Sequence, residues 1–452
     1  MTSPGMILQS IINISLFFLL ALVPLMVNPT AYDYFYKPKI DSVYGLICII
    51  CAAVIARLCI RRVGLPLPRL AGPVFLFLYG CSAIISTVLS IDRKLSLQGD
   101  FLRYEGLFTL LAYAALPVLF AGLVESRMQA EQLVKWLLAS SFLIALYGVI
   151  QYLGFNPTRH FIDSFNVSNV INSTMGNGNF LGKFLVLTGP LFAGYCLYKN
   201  EKKTYLLCSF ALVFVVMALV LSMARASWLG FACAALLFAL LIFRYGGPGQ
   251  KRYIGVFGGA IAGAALVFGV FAASGWGSFN IGSRIAAKAR AAFNLQQGHG
   301  SATRIFLWGQ AVPLIAERPW FGYGPDTHVQ VYKKASFESF KRFKASGIID
   351  RAHNNYIDIA IGQGIFGLFA YCGIMVSFLV WLWRCMKRET DRRLRMLLCA
   401  VFSSYCGYMV NDFFSFSVVS VSPTFWALMG LTYALQRSDT SEDMHPPGAA
   451  VL

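Results

Sequence analysis

Twelve apolar runs set what this chain of 452 residues can fold into. They lie near 7–27, 43–60, 71–90, 106–124, 133–153, 180–198, 204–222, 227–243, 253–274, 356–383, 396–414 and 418–436. About 20 apolar residues wound as a helix match the hydrocarbon thickness of a bilayer. Inside that layer no water satisfies backbone N–H and C=O groups, whereas a helix satisfies them within the segment. The runs therefore predict an all-α integral membrane protein with about 12 transmembrane helices. Composition agrees, because 57% of the residues are hydrophobic and only 13% are charged. A soluble domain carries about a quarter charged residues. No small-residue cleavage site follows the first run, which is read as a retained span.

The net charge of +18 does not indicate nucleic acid. The basic residues are spread over many short loops and form no single face. With the N-terminus placed in the cytoplasm, nineteen Lys and Arg fall in inside loops and their flanks, against seven in the short outside loops. Short cytoplasmic loops carry such an excess, while long loops translocate regardless of charge. Both termini are thus expected in the cytoplasm. Residues 1–274 would carry helices 1–9, and 275–355 a large helical loop on the outer, periplasmic face. Residues 356–436 would carry helices 10–12, and 437–452 a disordered tail. The eleven cysteines lie in or at the ends of apolar runs without a CxxC pair. They read as small apolar residues rather than a disulfide framework.

The outer loop has a readable interior. Ser301 can cap a helix through about Glu317, with Ile305, Phe306, Ala311, Val312 and Ile315 on one face. Pro319, Gly322, Gly324 and Pro325 end it. A second helix is expected over 326–344, with a basic side. A third, over about 281–293, is amphipathic and suits the membrane surface. The loop closes on Arg351-Ala352-His353-Asn354-Asn355-Tyr356, where a water-facing segment runs into an apolar helix.

Several residues invite a chemical role, each with a plainer alternative. Arg225 sits between two apolar runs that leave almost no loop, so its charge meets the membrane border. Such a charge either has a partner or ligand, or snorkels to the headgroups. Arg103 and Glu105, just before the fourth run, pose the same choice, with a local interfacial ion pair favoured. Arg304 falls in the first turn of a predicted helix, where a cation opposes the helix dipole. That points weakly beyond solubility; the alternative is a solvated loop charge. His353 alone among the histidines is anchored against a membrane helix. A neutral imidazole there can take a proton from an attacking hydroxyl, or simply be a satisfied interfacial group. His160, His299 and His328 have no flanking pattern and are expected to face solvent.

Other chemistries fit poorly. There is no GxxxxGKS/T cradle for ATP, no HExxH and no GxSxG. The outward acids form no DxD pair of the kind that holds a divalent metal on a diphosphate. The outer face offers arginines, which neutralise a diphosphate by bidentate hydrogen bonds without a metal. No cofactor, no metal, no ATP and no nucleic acid are expected.

Taken together these residues resemble the O-antigen ligase and polymerase superfamily of bacterial envelope enzymes. The resemblance rests on Arg351-Ala352-His353-Asn354-Asn355-Tyr356-Ile357 followed by Gly364-Ile365-Phe366-Gly367-Leu368. Supporting stretches are Gly176-Asn177-Gly178-Asn179-Phe180-Leu181, Met223-Ala224-Arg225-Ala226-Ser227, and Arg304-Ile305-Phe306-Leu307-Trp308 leading to Pro319-Trp320-Phe321-Gly322-Tyr323-Gly324. It covers roughly 170–380 well; the first five runs match mainly in number and placement. It implies a GT-C-like glycosyltransferase with twelve helices and a large loop between helices 9 and 10. Such a ligase moves a glycan from undecaprenyl diphosphate to lipid A–core oligosaccharide without metal or ATP. The position matching His353 would then be the general base. Those matching Arg225 and Arg304 would hold the donor diphosphate. Arg103, Asn177, Asn179, Arg351, Asn354 and Tyr323 would support them. One departure is Gln363, where many members carry an acid.

Three related activities and one distant one compete. A polymerase joins lipid-linked repeat units, and a protein O-oligosaccharyltransferase glycosylates protein hydroxyls; both share the ligase chemistry. A flippase for lipid-linked glycans makes no bond. Its charges belong near the membrane midplane, where only Lys183 and Asp412 are candidates. The long outer loop ending in His353 favours an enzyme.

Overall fold

A computed structural model describes residues 4–30, 33–61, 70–155, 171–251, 255, 258–259, 301–333 and 349–436. Every regular element among them is helical. Helix α1 (Pro4–Phe17) continues through a π turn and a 3-10 turn to Leu25. It is followed by α2 (Lys37–Arg61), α3 (Pro73–Val88), the short α4 (Arg93–Gln98), α5 (Leu107–Leu123) and α6 (Arg127–Tyr152). Then come α7 (Gly178–Lys199), α8 (Lys202–Leu221), α9 (Arg225–Tyr245) and α10 (Ser301–Glu317). Helices α11 (Asn355–Arg388), α12 (Arg392–Asp412) and α13 (Ser422–Leu435) complete the described chain. Among the described residues seven stretches are long and apolar enough to cross a membrane: α1 with its extension, α2, α6, α7, α8, α9 and α11. Helices α3 and α5 are apolar but shorter. The other apolar runs also coincide with helices, except 253–274, most of which lies outside the described residues. So do the helix expected over 281–293, His160, His299 and the tail. Of the helix expected over 326–344, residues 326–333 are described; 328–333 are helical, while Asp326 and Thr327 precede the helix.

Helix α7 is the axis of the bundle. The whole of its apolar window is buried, and it packs against α12, α8, α9 and α6. Glycines allow the closest crossings. A methyl group on Gly230 of α9 would lie 2.6 Å from the carbonyl oxygen of Gly407 on α12. One on Gly194 of α7 would lie 2.3 Å from the Ala400 methyl. Where hydrocarbon surrounds helices, such backbone approach is the main source of packing energy. All eleven cysteines are free.

Helix α10 spans the range its sequence predicts, but only part of the face read from the sequence turns inward. Its buried side is Leu307, Ala311 and Leu314, which pack with Tyr323, Val331, Tyr332, Ala352 and Ile361. Of the five residues read onto one face, Ala311 is buried and Phe306 and Ile315 pack against this cluster, whereas Ile305 and Val312 are 56% and 67% exposed. The apolar residues of this helix nearly encircle it, so periodicity alone does not choose a side.

The glycine-rich motifs explain how α10 is held on α11. Gly364 breaks α11 with φ 71 and ψ −171, freeing peptide groups on either side. The chain after α10 takes them up. Tyr323 N–H donates to Ile361 O and Gly324 N–H to Gly362 O, both at 2.9 Å, and Ile365 N–H donates to Pro319 O at 2.7 Å. A side chain at Gly364 would meet Trp320 O at 2.2 Å, and one at Gly322 (φ 65) would meet Ile361 O at 2.3 Å. Both positions need glycine for conformation and for space.

Candidate functional site

Four helix starts (α5, α7, α11 and α13) and two helix ends (α3 and α12) meet at one end of the bundle. Side chains cross-link them. Ser90, just past α3, donates to Tyr323 O at 3.1 Å. Ser417, between α12 and α13, donates to Glu105 Oε1 at 2.6 Å. Asn355, opening α11, donates to Asp412 Oδ2 at 3.1 Å. Asp412 is also ion-paired with Lys183, and both side chains are fully buried. Lys183 lies within two turns of the start of α7 and Asp412 ends α12, so the pair sits near helix termini.

Arg351 is the hub of this end of the bundle. It is ion-paired with Asp326 and lies 3.9 Å from Glu105. Burial works against its charge, but Asp326, Asp358, Glu105 and Asp350 outweigh it and hold the guanidinium above its ordinary pKa. Asp326 adopts φ 60, and its second oxygen accepts from Asp100 N–H at 2.6 Å and Glu105 N–H at 2.9 Å. Burial raises Glu105, partly offset by Arg351.

His328 is not at the solvent. It is 4% exposed, with Nδ1 3.1 Å from an Arg351 amine and Nε2 2.9 Å from Asp358 O. A guanidinium can only donate, so Nδ1 accepts and Nε2 carries the proton. Burial and then Arg351 push this imidazole down to about 3. Its flanking residues carry no periodic signal, which is why it resembles a surface histidine. The Arg103–Glu105 ion pair is likewise absent. Arg103 instead grips Asp350 at 2.5 and 2.6 Å and lies over the Phe416 ring at 4.9 Å. Glu105 binds Tyr113, Ser417 and the Arg351 neighbourhood. A partner 247 residues away cannot be read from local spacing.

His353 follows this hub in a left-handed conformation, φ 55, which a β-carbon makes uncommon. Its ring lies against Phe416 with centroids 5.3 Å apart. Burial, then Arg304, lowers its pKa to about 4; Arg103 and Arg351 add to this and Asp350 opposes it. At neutral pH the imidazole is therefore uncharged. Arg304, from the first turn of α10, is lowered by burial and then by Arg225. Arg225 opens α9 two residues after Met223, itself at φ 54. Arg225, about 80 residues earlier in the chain, thus acts on Arg304, and Arg304 acts on His353.

The other singled-out residues have identifiable contacts. Asn354 caps α11, its side-chain oxygen accepting from Tyr356 N–H at 3.0 Å and Ile357 N–H at 3.2 Å. Asn177 caps α7 by accepting from Asn179 N–H at 2.8 Å; the Asn179 side chain is exposed. Tyr323 is buried, with Arg318 over its ring at 5.1 Å, and contributes the backbone bonds described above. Gln363 lines a small cavity of about 50 Å³ with Glu105, Asp326, His328, Arg351 and Asp358. No cluster of three or more His, Cys, Asp or Glu among the described residues is arranged to hold a metal ion.

Residues 210–372 match the family described as O-antigen ligase. That stretch contains Arg225, Arg304, Tyr323, Arg351, His353 and Asn354, and leaves out Arg103, Asn177 and Asn179. No curated protein matches the chain.

Proposed function

We propose that this chain, which belongs to the O-antigen ligase superfamily through residues 210–372, is an inverting, metal-independent ligase. It transfers a glycan from undecaprenyl diphosphate to a hydroxyl of lipid A–core at the outer face of the bacterial inner membrane. The observation that carries this is the grouping of two mutually repelling guanidiniums, Arg225 and Arg304, beside a neutral imidazole. Like charges held together in a half-buried site disfavour one another, and a multiply charged anion relieves both. A polyprenyl diphosphate has that charge, and membrane helices open at the level where its headgroup would sit.

Each residue then has a defined task. Arg225 and Arg304 bind the diphosphate and stabilise the negative charge that grows as the bond from the anomeric carbon to phosphate oxygen breaks. His353 accepts the proton of the acceptor hydroxyl as its oxygen attacks the opposite side of that carbon. One displacement inverts the anomeric centre. The leaving group is already a stable anion, so no acid is needed on that side. Arg103 and Arg351 are each matched by acids, Asp350 and Asp326, and serve to hold the loop.

The acceptor is decided by product anchoring. Purified protein in a bilayer receives radiolabelled lipid-linked glycan with either lipid A–core or a second lipid-linked glycan. A ligase gives label on lipid A–core and none on a longer lipid-linked chain. A ladder of longer lipid-linked glycans would make it a polymerase, and label on added protein would make it a protein O-oligosaccharyltransferase.

A further inference from the structure

The turn that presents His353 is gripped at the preceding peptide from two directions. Ala352 N–H donates to Asp358 Oδ1 at 2.7 Å, and Ala352 O accepts from Trp308 Nε1–H at 3.0 Å. Ala352 itself is fully buried. Asp358 lies in the first turn of α11, and its own N–H donates to Asn354 O at 2.9 Å. The grip therefore ties the turn to a capped helix start. Trp308 comes from α10, where it is one helical turn beyond Arg304. Residues four apart share a helix face, so the bond from Trp308 to Ala352 also sets how α10 presents Arg304 toward His353.

We propose that Asp358 and Trp308 are positioning residues that hold His353 in its left-handed turn, aligned with Arg304, by clamping the Ala352 peptide. This rests on the assignment of His353 as the base. A left-handed residue with a β-carbon does not keep that conformation unaided, and the clamp supplies the restraint. Only one oxygen of Asp358 is used. The other, Oδ2, is buried without a hydrogen-bond partner among the described residues. Arg351 already has Asp326 and Glu105. The clamp thus needs an acceptor at Oδ1 and does not need the negative charge.

The test is turnover by purified full-length variants in bilayers with lipid-linked glycan and lipid A–core, alongside thermal melting. Asp358→Leu lowers kcat about 100-fold with the KM for donor unchanged, the scale expected when a catalytic group is misplaced by about 1 Å. Asp358→Asn, which keeps the acceptor oxygen, recovers turnover to within about 3-fold of the parent, because the alignment is restored. Trp308→Phe keeps the ring but not the N–H, and lowers kcat about 10-fold. Full turnover in Asp358→Leu overturns the proposal, as does an Asp358→Asn variant as impaired as Asp358→Leu. If Asp358→Leu does not fold, Trp308→Phe decides, and unchanged turnover there overturns it. His353→Ala is measured in parallel. If it stays active, the base assignment fails whatever the clamp does; if it is inactive while the clamp variants are fully active, only the clamp fails.

Discussion

Arg304 acts directly on His353, and after burial it is the strongest influence holding that imidazole down to about 4. In the resting site His353 is therefore neutral but a weak base. In the proposed assignment, a diphosphate between Arg225 and Arg304 would offset their positive charge, and the ring would become more basic when the donor is present. Proton acceptance is then coupled to donor binding.

The first prediction follows from that coupling. The acid limb of kcat/KM for the donor, which describes the donor-free enzyme, reports a group near 4. The acid limb of kcat reports the same group at higher pH, because it describes the loaded enzyme. In Arg304→Lys the limb stays low, and in Arg304→Gln it moves up. A limb unmoved by donor and by Arg304→Gln would disconnect the two residues.

The second concerns acid stability. Unfolded, each imidazole protonates near 6.5; folded, His353 does so near 4 and His328 near 3. Between these values the unfolded chain binds more protons, so stability falls as pH drops from 6.5, and the loss is complete once pH is below the folded values. Replacing His328 by Gln preserves an acceptor for Arg351 and a donor for Asp358 O without a titrating ring. Melting temperatures from pH 4 to 7 should fall less steeply in His328→Gln than in the parent. An identical slope would mean that His328 is not held neutral.

The third concerns the joint between α10 and α11. Gly364→Ala places a methyl 2.2 Å from Trp320 O, at φ 71. The strain and overlap cost at least about 2 kcal/mol. The variant should melt at lower temperature and lose transfer activity, because the same joint carries Arg304. Ala at Gly309, where nothing lies within 4 Å, should do neither. Equal melting temperatures for the two would refute the joint.

Much of this frame is readable from the chain and some of it is not. The helices coincide with the apolar runs, because one run of lipid-compatible residues dictates one local conformation. His353 and Arg225 stand out because polar residues at the edge of an apolar run are locally conspicuous, and Arg304 because a cation in the first turn of a helix opposes its dipole. The Arg351 hub is invisible by the same logic. Its members come from before α5, from after α10 and from α11, and Ser417 meets Glu105 across 312 positions. Nothing local distinguishes His328 from a surface histidine. The inner face of α10 is hidden for another reason, since a helix apolar nearly all round has several equivalent faces until α11 chooses one. The glycines are readable as helix ends, but not as the partners of a break at Gly364.

The fourth prediction concerns metals. With guanidiniums as the only diphosphate partners required, transfer by purified protein should proceed in EDTA at the rate seen with magnesium. A loss in EDTA restored by magnesium would show that the arginines do not suffice.

The most direct measurement is single-turnover transfer of lipid-linked glycan to lipid A–core by purified parent, His353→Ala and Arg225→Ala in bilayers, with melting curves beside each. The parent should form product with inverted anomeric configuration. His353→Ala should be slower by about 100-fold or more, the scale of a lost general base, and Arg225→Ala should lose detectable transfer, while both melt as the parent does. Near-parental rates in either folded variant would contradict the assignment of base and diphosphate cradle.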